Sequence, residues 1–180
     1  SGTTNRLLGV SFTDASTGTA VGLGGTILRT TDGGSTWTAQ DSGTTHVLTD
    51  VSFTDANNGT VVGPGGTTLR TTDGGASWTA QDTPEGLYGV SFVDASTGTA
   101  VGDEGTILRT TDGGSTWTAQ DSGTMNTLTD VSFTDASTGT AVGWNGTIVR
   151  TTDGGTTWTA QDSGTTNRLL GVSFTDASTG

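Results

Sequence analysis

The stretch that decides the fold is Thr30-Thr31-Asp32-Gly33-Gly34-Ser35-Thr36-Trp37, which returns with small changes at 71–78, 110–117 and 151–158. Asp followed by two Gly suits a tight turn, because Asp can close a turn through its carboxylate and Gly accepts a positive φ. The Thr-rich flanks suit strands, since a β-branched side chain fits a pleated surface better than a helix. Each copy therefore reads as a hairpin that brings a Trp onto one face of a strand. Upstream of each box stands a V-S-F-[TV]-D-A segment. Its Phe recurs at Phe12, Phe53, Phe92, Phe133 and Phe174, at spacings of 41, 39, 41 and 41 residues.

Four complete units and the start of a fifth follow from this period. In the first, four short strands are expected at 7–13, 19–22, 26–31 and 36–40, separated by turns at 14–18, 23–25 and 32–35. A four-stranded antiparallel sheet of about 40 residues has the size of one β-propeller blade. The expected fold is all-β, with blades at 7–43, 48–83, 87–123 and 128–163 and the first strand of a fifth blade at 169–180, in one repeat array. It could be a closed ring or an open continuous array. Leu8, Val10 and Phe12 are expected on one side of the first strand and Leu7, Gly9 and Ser11 on the other. Neither side is charged, as blade-on-blade packing requires. One blade cannot bury its Trp alone, so stacked units are needed.

A longer period lies above the first. Residues 1–18 recur residue for residue as 163–180, an offset of 162, with no linker at the join. Odd and even units also alternate, with Leu7-Leu8-Gly9-Val10 and Leu87-Tyr88-Gly89-Val90 against Leu48-Thr49-Asp50-Val51 and Leu128-Thr129-Asp130-Val131. Such a pattern fits an even number of blades or a two-blade step. The chain opens in mid-pattern without a leader, as a mature protein or a fragment would.

Composition closes off several classes. The 180 residues carry 44 Thr, 31 Gly, no Cys, no Lys, six Arg and eighteen acidic residues, for a formal net charge of -12. That balance opposes nucleic-acid binding, because nothing offsets phosphate repulsion. No apolar run reaches the roughly 18 residues of a membrane span, so no membrane insertion is expected. Without Cys there is no disulfide, thiolate site or Cys nucleophile. His46 is the only His, which leaves no His-based metal site within one chain. One Asp followed by two Gly is too few oxygens for a calcium loop. No metal and no cofactor are expected.

The box resembles the Asp-box, or bacterial neuraminidase repeat, of the form [ST]-x-D-x-G-x-[ST]-W. The wider unit, with Gly-Val-Ser-Phe, Ala-Val-Gly and Gly-Thr-Ile-Leu-Arg-Thr-Thr-Asp-Gly-Gly, is similar to the propeller repeats of the photosystem II stability and assembly factor family. The resemblance implies structural roles for Asp32, Asp73, Asp112 and Asp153, each closing a turn. It implies that Trp37, Trp78, Trp117 and Trp158 enter the core. It does not carry activity: a sialidase needs an Arg cluster with Tyr and Glu, whereas Arg29, Arg70, Arg109 and Arg150 occupy one repeated strand position and Tyr88 is the only Tyr. No enzyme is expected. The repeated Arg is expected to form a salt bridge to a neighbouring blade.

Function is then sought where the copies differ. Antiparallel strands put the turns between strands two and three, and the connections between units, at one end. Those turns read Leu23-Gly24-Gly25, Pro64-Gly65-Gly66, Asp103-Glu104-Gly105 and Trp144-Asn145-Gly146. The connections differ as well. Trp144, Asp103, Glu104, His46, Met125 and Arg168 are the candidate contact face, since exposed aromatic and Arg residues are common anchors. The preferred role is structural: part of a longer extracellular or cell-surface filament or scaffold, self-assembled by blade stacking. Its partner would be a neighbouring copy or the continuing chain, through the edge of the incomplete fifth blade. The alternatives are a closed propeller that binds a glycan or a protein, a consensus-derived engineered propeller and, remotely, an Asp-box glycosidase.

Overall fold

The computed structural model describes residues 2–83, 86–176 and 179–180. They form four four-stranded antiparallel sheets, propeller-like blades each with strands in sequence order and none closed on itself. The chain divides into two compact units, Ser1–Gly86 and Leu87–Gly180.

The first unit holds β1 (Leu7–Phe12), β2 (Gly18–Gly22), β3 (Ile27–Thr30) and β4 (Thr38–Gln40). Its second sheet is β5 (Asp50–Phe53), β6 (Gly59–Gly63), β7 (Thr67–Thr71) and β8 (Thr79–Asp82). The core lies between the sheets: Val21 and Ile27 from the first meet Leu48, Val51, Phe53, Val61 and Leu69 from the second, with Trp78 packed alongside. The second unit repeats the plan. Its sheets are β9 (Leu87–Phe92), β10 (Gly98–Gly102), β11 (Ile107–Thr110) and β12 (Thr118–Gln120), then β13 (Leu128–Phe133), β14 (Gly139–Gly143), β15 (Ile148–Thr151) and β16 (Thr159–Gln161). Val101 and Ile107 there meet Leu128, Val131, Phe133, Ala141 and Val149.

The Gly that opens each second strand is set by packing. A Cβ on Gly18 would lie 2.7 Å from the Phe12 ring, and Gly98 stands likewise beneath Phe92. Each Phe in turn meets its own Trp edge-on: the Phe12–Trp37 and Phe53–Trp78 centroids are 6.1 and 6.0 Å apart.

Three local expectations change. The fourth strand starts at Thr38 rather than at 36, because the Asp32 carboxylate accepts the Thr36 amide at 2.8 Å and holds the turn open for two more residues. The register of β1 on β2 shifts between Leu7 and Gly9, so simple alternation fails and Leu7 and Leu8 are both 38% exposed. The first strand is also not covered on both sides: Val10 is 59% exposed, while its counterpart Val51 is 4% exposed.

The fifth copy of the strand is not a strand. Residues 169–174 make no ladder with any strand among the described residues. It is docked all the same. Leu169 N–H donates to the Gly143 carbonyl at 3.0 Å, as Leu48 does to Gly22. Phe174 N–H donates to Ser132 Oγ at 3.1 Å, as Phe53 does to Ser11.

Candidate functional site

At one end of each sheet the conserved turns close on themselves. In the first box Thr30 Oγ1 donates to Asp32 Oδ1 at 2.8 Å, Thr36 N–H donates to the same oxygen at 2.8 Å, and Thr36 Oγ1 donates to Oδ2 at 2.7 Å. Asp73, Asp112 and Asp153 make the same three bonds. Hydrogen bonds to the charged form favour it. The Thr36 amide and hydroxyl bring Asp32 down to about 2, and Asp73 and Asp112 are also near 2, through Ser77 and Thr116. Both oxygens of each carboxylate are engaged inside its own turn. Of the box indoles, Trp37 Nε1 donates to the Gly34 carbonyl at 3.1 Å and Trp158 Nε1 to Gln120 Oε1 at 3.5 Å. Trp117 stands edge-on to Phe92 with centroids 6.0 Å apart.

Two of the four repeated Arg, Arg29 and Arg109, join sheets through a carbonyl where a salt bridge was expected. Arg29 Nη2 donates to the Ala56 carbonyl at 2.7 Å, and its guanidinium lies 5.4 Å from the centre of the Phe53 ring. Arg109 does the same with Ala136, at 2.7 Å, and with Phe133, at 5.0 Å. The planar guanidinium can stack on a ring and still reach a turn carbonyl.

At the opposite end the copies are individual. Each turn between the second and third strands needs two left-handed residues. In the first unit Gly supplies both, as Gly24 and Gly25 or Gly65 and Gly66, whereas in the second Glu104 (φ 52) and Asn145 (φ 56) take the first place. A non-Gly residue there is uncommon and mildly strained. It projects a polar side chain where the other turns have none.

The six candidate residues do not form one cluster. His46 lies in the first unit, where its Nδ1 is 2.9 Å from Thr67 Oγ1. That contact has the same place as Asn5 Nδ2 to Thr26 Oγ1 and Asn126 Nδ2 to Thr147 Oγ1, both 2.8 Å. The geometry makes His46 a brace between connection and turn, beside a cavity of about 350 Å³ whose walls include Thr44, Gly66 and Trp78.

The other five lie in the second unit. The Arg168 guanidinium stands 5.1 Å above the Trp144 ring, which is 45% exposed. Tyr88 hydroxyl donates to Asp103 Oδ2 at 3.2 Å. Burial and the Asp103 charge push the Tyr88 phenol up, and the Arg168 charge opposes them. Asn145 Nδ2 donates to Asn126 Oδ1 at 3.0 Å, beside Met125, which is 77% exposed. Sequence reasoning had Tyr88 only as a lone Tyr. Its signal was its position, where the other copies carry Leu or Thr.

Among the described residues no three His, Cys, Asp or Glu side chains gather as a metal site, and no helix is long and apolar enough to cross a membrane. Residues 117–179 match the family described as photosynthesis system II assembly factor YCF48. The fold is similar to a structure of YCF48 bound to D1 peptide, with TM-score 0.78, 27% identity and 96% of this chain covered. The chain spans 58% of that protein's length. YCF48 from Cyanidioschyzon merolae aligns with TM-score 0.60 and 18% identity, over 98% of this chain and 92% of that one. A GH74 enzyme of Niastella koreensis shares the fold alone, with TM-score 0.69 and 19% identity, over 84% of this chain and 28% of the enzyme. No curated protein sequence matches. These findings overturn the extracellular or cell-surface placement: they tie the repeat to photosystem II assembly factors, not to surface filaments.

Proposed function

We propose that the chain, whose residues 117–179 match the photosystem II assembly factor family and whose fold is similar to that of YCF48, is a non-enzymatic binding module that takes up a segment of a protein partner. The surface for it is the variable turn end of the second unit. The observation that carries the reading is Arg168 stacked on the exposed Trp144, with the Tyr88–Asp103 pair in the same unit. Aromatic and Arg side chains supply large contact area at low entropic cost, and they dominate the energetics of protein interfaces. One structure with a similar fold is YCF48 bound to D1 peptide. A catalytic reading has little to stand on, since the box carboxylates are consumed inside their turns.

The test is titration of a fluorescein-labelled D1 peptide into the chain, followed by anisotropy. Saturable binding is expected, weakened at least about tenfold in the Trp144→Ala, Arg168→Ala double variant, as loss of a central anchor implies, with an unchanged circular dichroism spectrum. An unaltered affinity in that variant, or no saturation with the parent chain, rejects the surface.

Self-association is the second part of this reading. It is favoured by the exposed apolar side of β1, where Leu7, Val10 and Phe12 are 38–59% exposed although their counterparts Leu48, Val51, Phe53 and Leu128, Val131, Phe133 build the cores. Blade stacking between copies would cover it and extend the array.

A further inference from the structure

We propose that residues 169–174 are an exchange strand: in a second copy of this chain they take the place of β1 and pair with β2. The inference rests on the self-association reading above and gives it another contact: β1, with its open apolar side, is not covered in place but gives up its place to the docked segment. The exchange uses the strand edge of residues 169–174 and keeps the Trp144–Arg168 pair, which borders that segment at Gly143 and Leu169, in place.

Three observations carry it. First, the segment is the same sequence as β1: 163–180 repeats 1–18 without a change, so Leu169, Val172 and Phe174 stand for Leu7, Val10 and Phe12. Whatever register β1 makes on β2, this segment can make with identical side chains. Second, the segment already sits on its sheet as a first strand sits on the preceding blade. Leu169 N–H reaches Gly143, Phe174 N–H reaches Ser132 Oγ, and Val172 N–H reaches Asp130 Oδ2 at 2.7 Å. After it, Thr175 N–H donates to the Thr179 carbonyl at 3.0 Å, as Thr13 does to Thr17. Its outer edge pairs with no strand among the described residues, and unpaired strand edges are templates for further pairing. Third, β1 is the least held of the first strands. Its outer side is open, with Val10 and Phe12 59% and 48% exposed.

The exchange conserves the ladder. A second copy's β2–β4 joins residues 169–174, and that copy's own β1 is released. The ladder bonds and the Phe–Trp contact of the first sheet are remade by identical residues, while the docking bonds to Gly143, Ser132 and Asp130 are kept. The added burial comes from stacking the incoming sheet on the blade formed by β13–β16, by the same step that places β5–β8 on β1–β4. The contact is heterologous, so each copy offers one giving and one receiving end and the association continues beyond a dimer.

The chain has no Cys, which makes the test direct. Val10 is the partner of Ala20 in the β1–β2 register, so Val172 faces Ala20 only after exchange, at a separation that antiparallel partners share with disulfides. The full chain carrying Ala20→Cys and Val172→Cys is oxidised over a range of concentrations and run on a non-reducing gel beside sedimentation velocity. A second pair, Thr19→Cys with Ser173→Cys, leaves the Val172 side chain in place, and Val10→Cys with Ala20→Cys is the unexchanged control. Covalent dimers, trimers and higher species from either test pair, rising with concentration, support the exchange. Multimers by sedimentation whose thiols stay reduced overturn the exchange and leave self-association standing. Monomers at every concentration overturn both. A disulfide closed within one monomer overturns the second copy as the occupant.

Discussion

Phe12 and Phe53 occupy the same repeat position, between V-S and T-D-A, and each ring meets its own Trp edge-on at about the same distance, 6.1 and 6.0 Å. Local sequence therefore assigns them equal weight. Tertiary structure does not: Phe53 is 8% exposed in the core between two sheets, with Arg29 over its ring, and Phe12 is 48% exposed. Truncation of a buried Phe to Ala costs about 3–5 kcal/mol, of which part is the cavity left behind. For Phe12 the transfer term falls to about half, because half the ring is already wet, and no cavity forms where water can enter. Adding a shared loss of about 1 kcal/mol for the Trp contact gives roughly 1–2 kcal/mol for Phe12→Ala. Both residues belong to the first compact unit, so urea unfolding followed by Trp fluorescence compares them within one transition, at concentrations where copies are monomeric. A gap of about 2 kcal/mol moves the midpoints apart by about 1 M urea for a slope near 2 kcal/mol/M. Equal losses at the two positions would refute the reasoning, since burial between sheets could not then be what separates the copies.

Two further outcomes follow from the turns. Gly25 and Gly43 have nearly the same positive φ, 69° and 70°, but a Cβ on Gly25 would run into the Thr44 carbonyl while one on Gly43 meets nothing within 4 Å. Gly43→Ala should cost about 1 kcal/mol, the left-handed penalty alone, and Gly25→Ala about 3 kcal/mol or more, measured by thermal unfolding. Acid should act late: Asp32, Asp73 and Asp112 titrate near 2 in the fold and near 4 when unfolded. A depressed folded value means their contribution is complete above about pH 4 and is lost as pH falls through 2. Circular dichroism should be flat from pH 7 to 5 and decline between 4 and 2, and a decline centred near pH 6 would contradict this.

How much could be read from the sequence depended on the range of the interactions involved. The box was legible because every bond that closes it spans four residues or fewer, from Thr30 to Thr36. The second-strand Gly was not: Gly18 reads as a turn residue in the sequence, and only the Phe12 ring over it in the fold shows why the position must be small. The Arg29 partner was not legible: the Ala56 carbonyl is 27 residues away in another sheet, and composition suggested an acid instead. Trp144 and Arg168 stood out as departures from the repeat, but their stacking joins residues 24 apart. His46 stood out as a departure in the connection between units, and the fold gives it the bracing position that Asn holds in other copies.

The identical segments 1–18 and 163–180 show where the division falls. Sequence alone determined the conformation each can adopt, down to the Thr13–Thr17 and Thr175–Thr179 turn bonds, because those are made by neighbours along the chain. Only tertiary structure decided that residues 7–12 are a strand with an open apolar side while 169–174 lie docked without a ladder. A ladder needs a partner strand and burial needs a facing sheet, and both are supplied by residues distant in the chain.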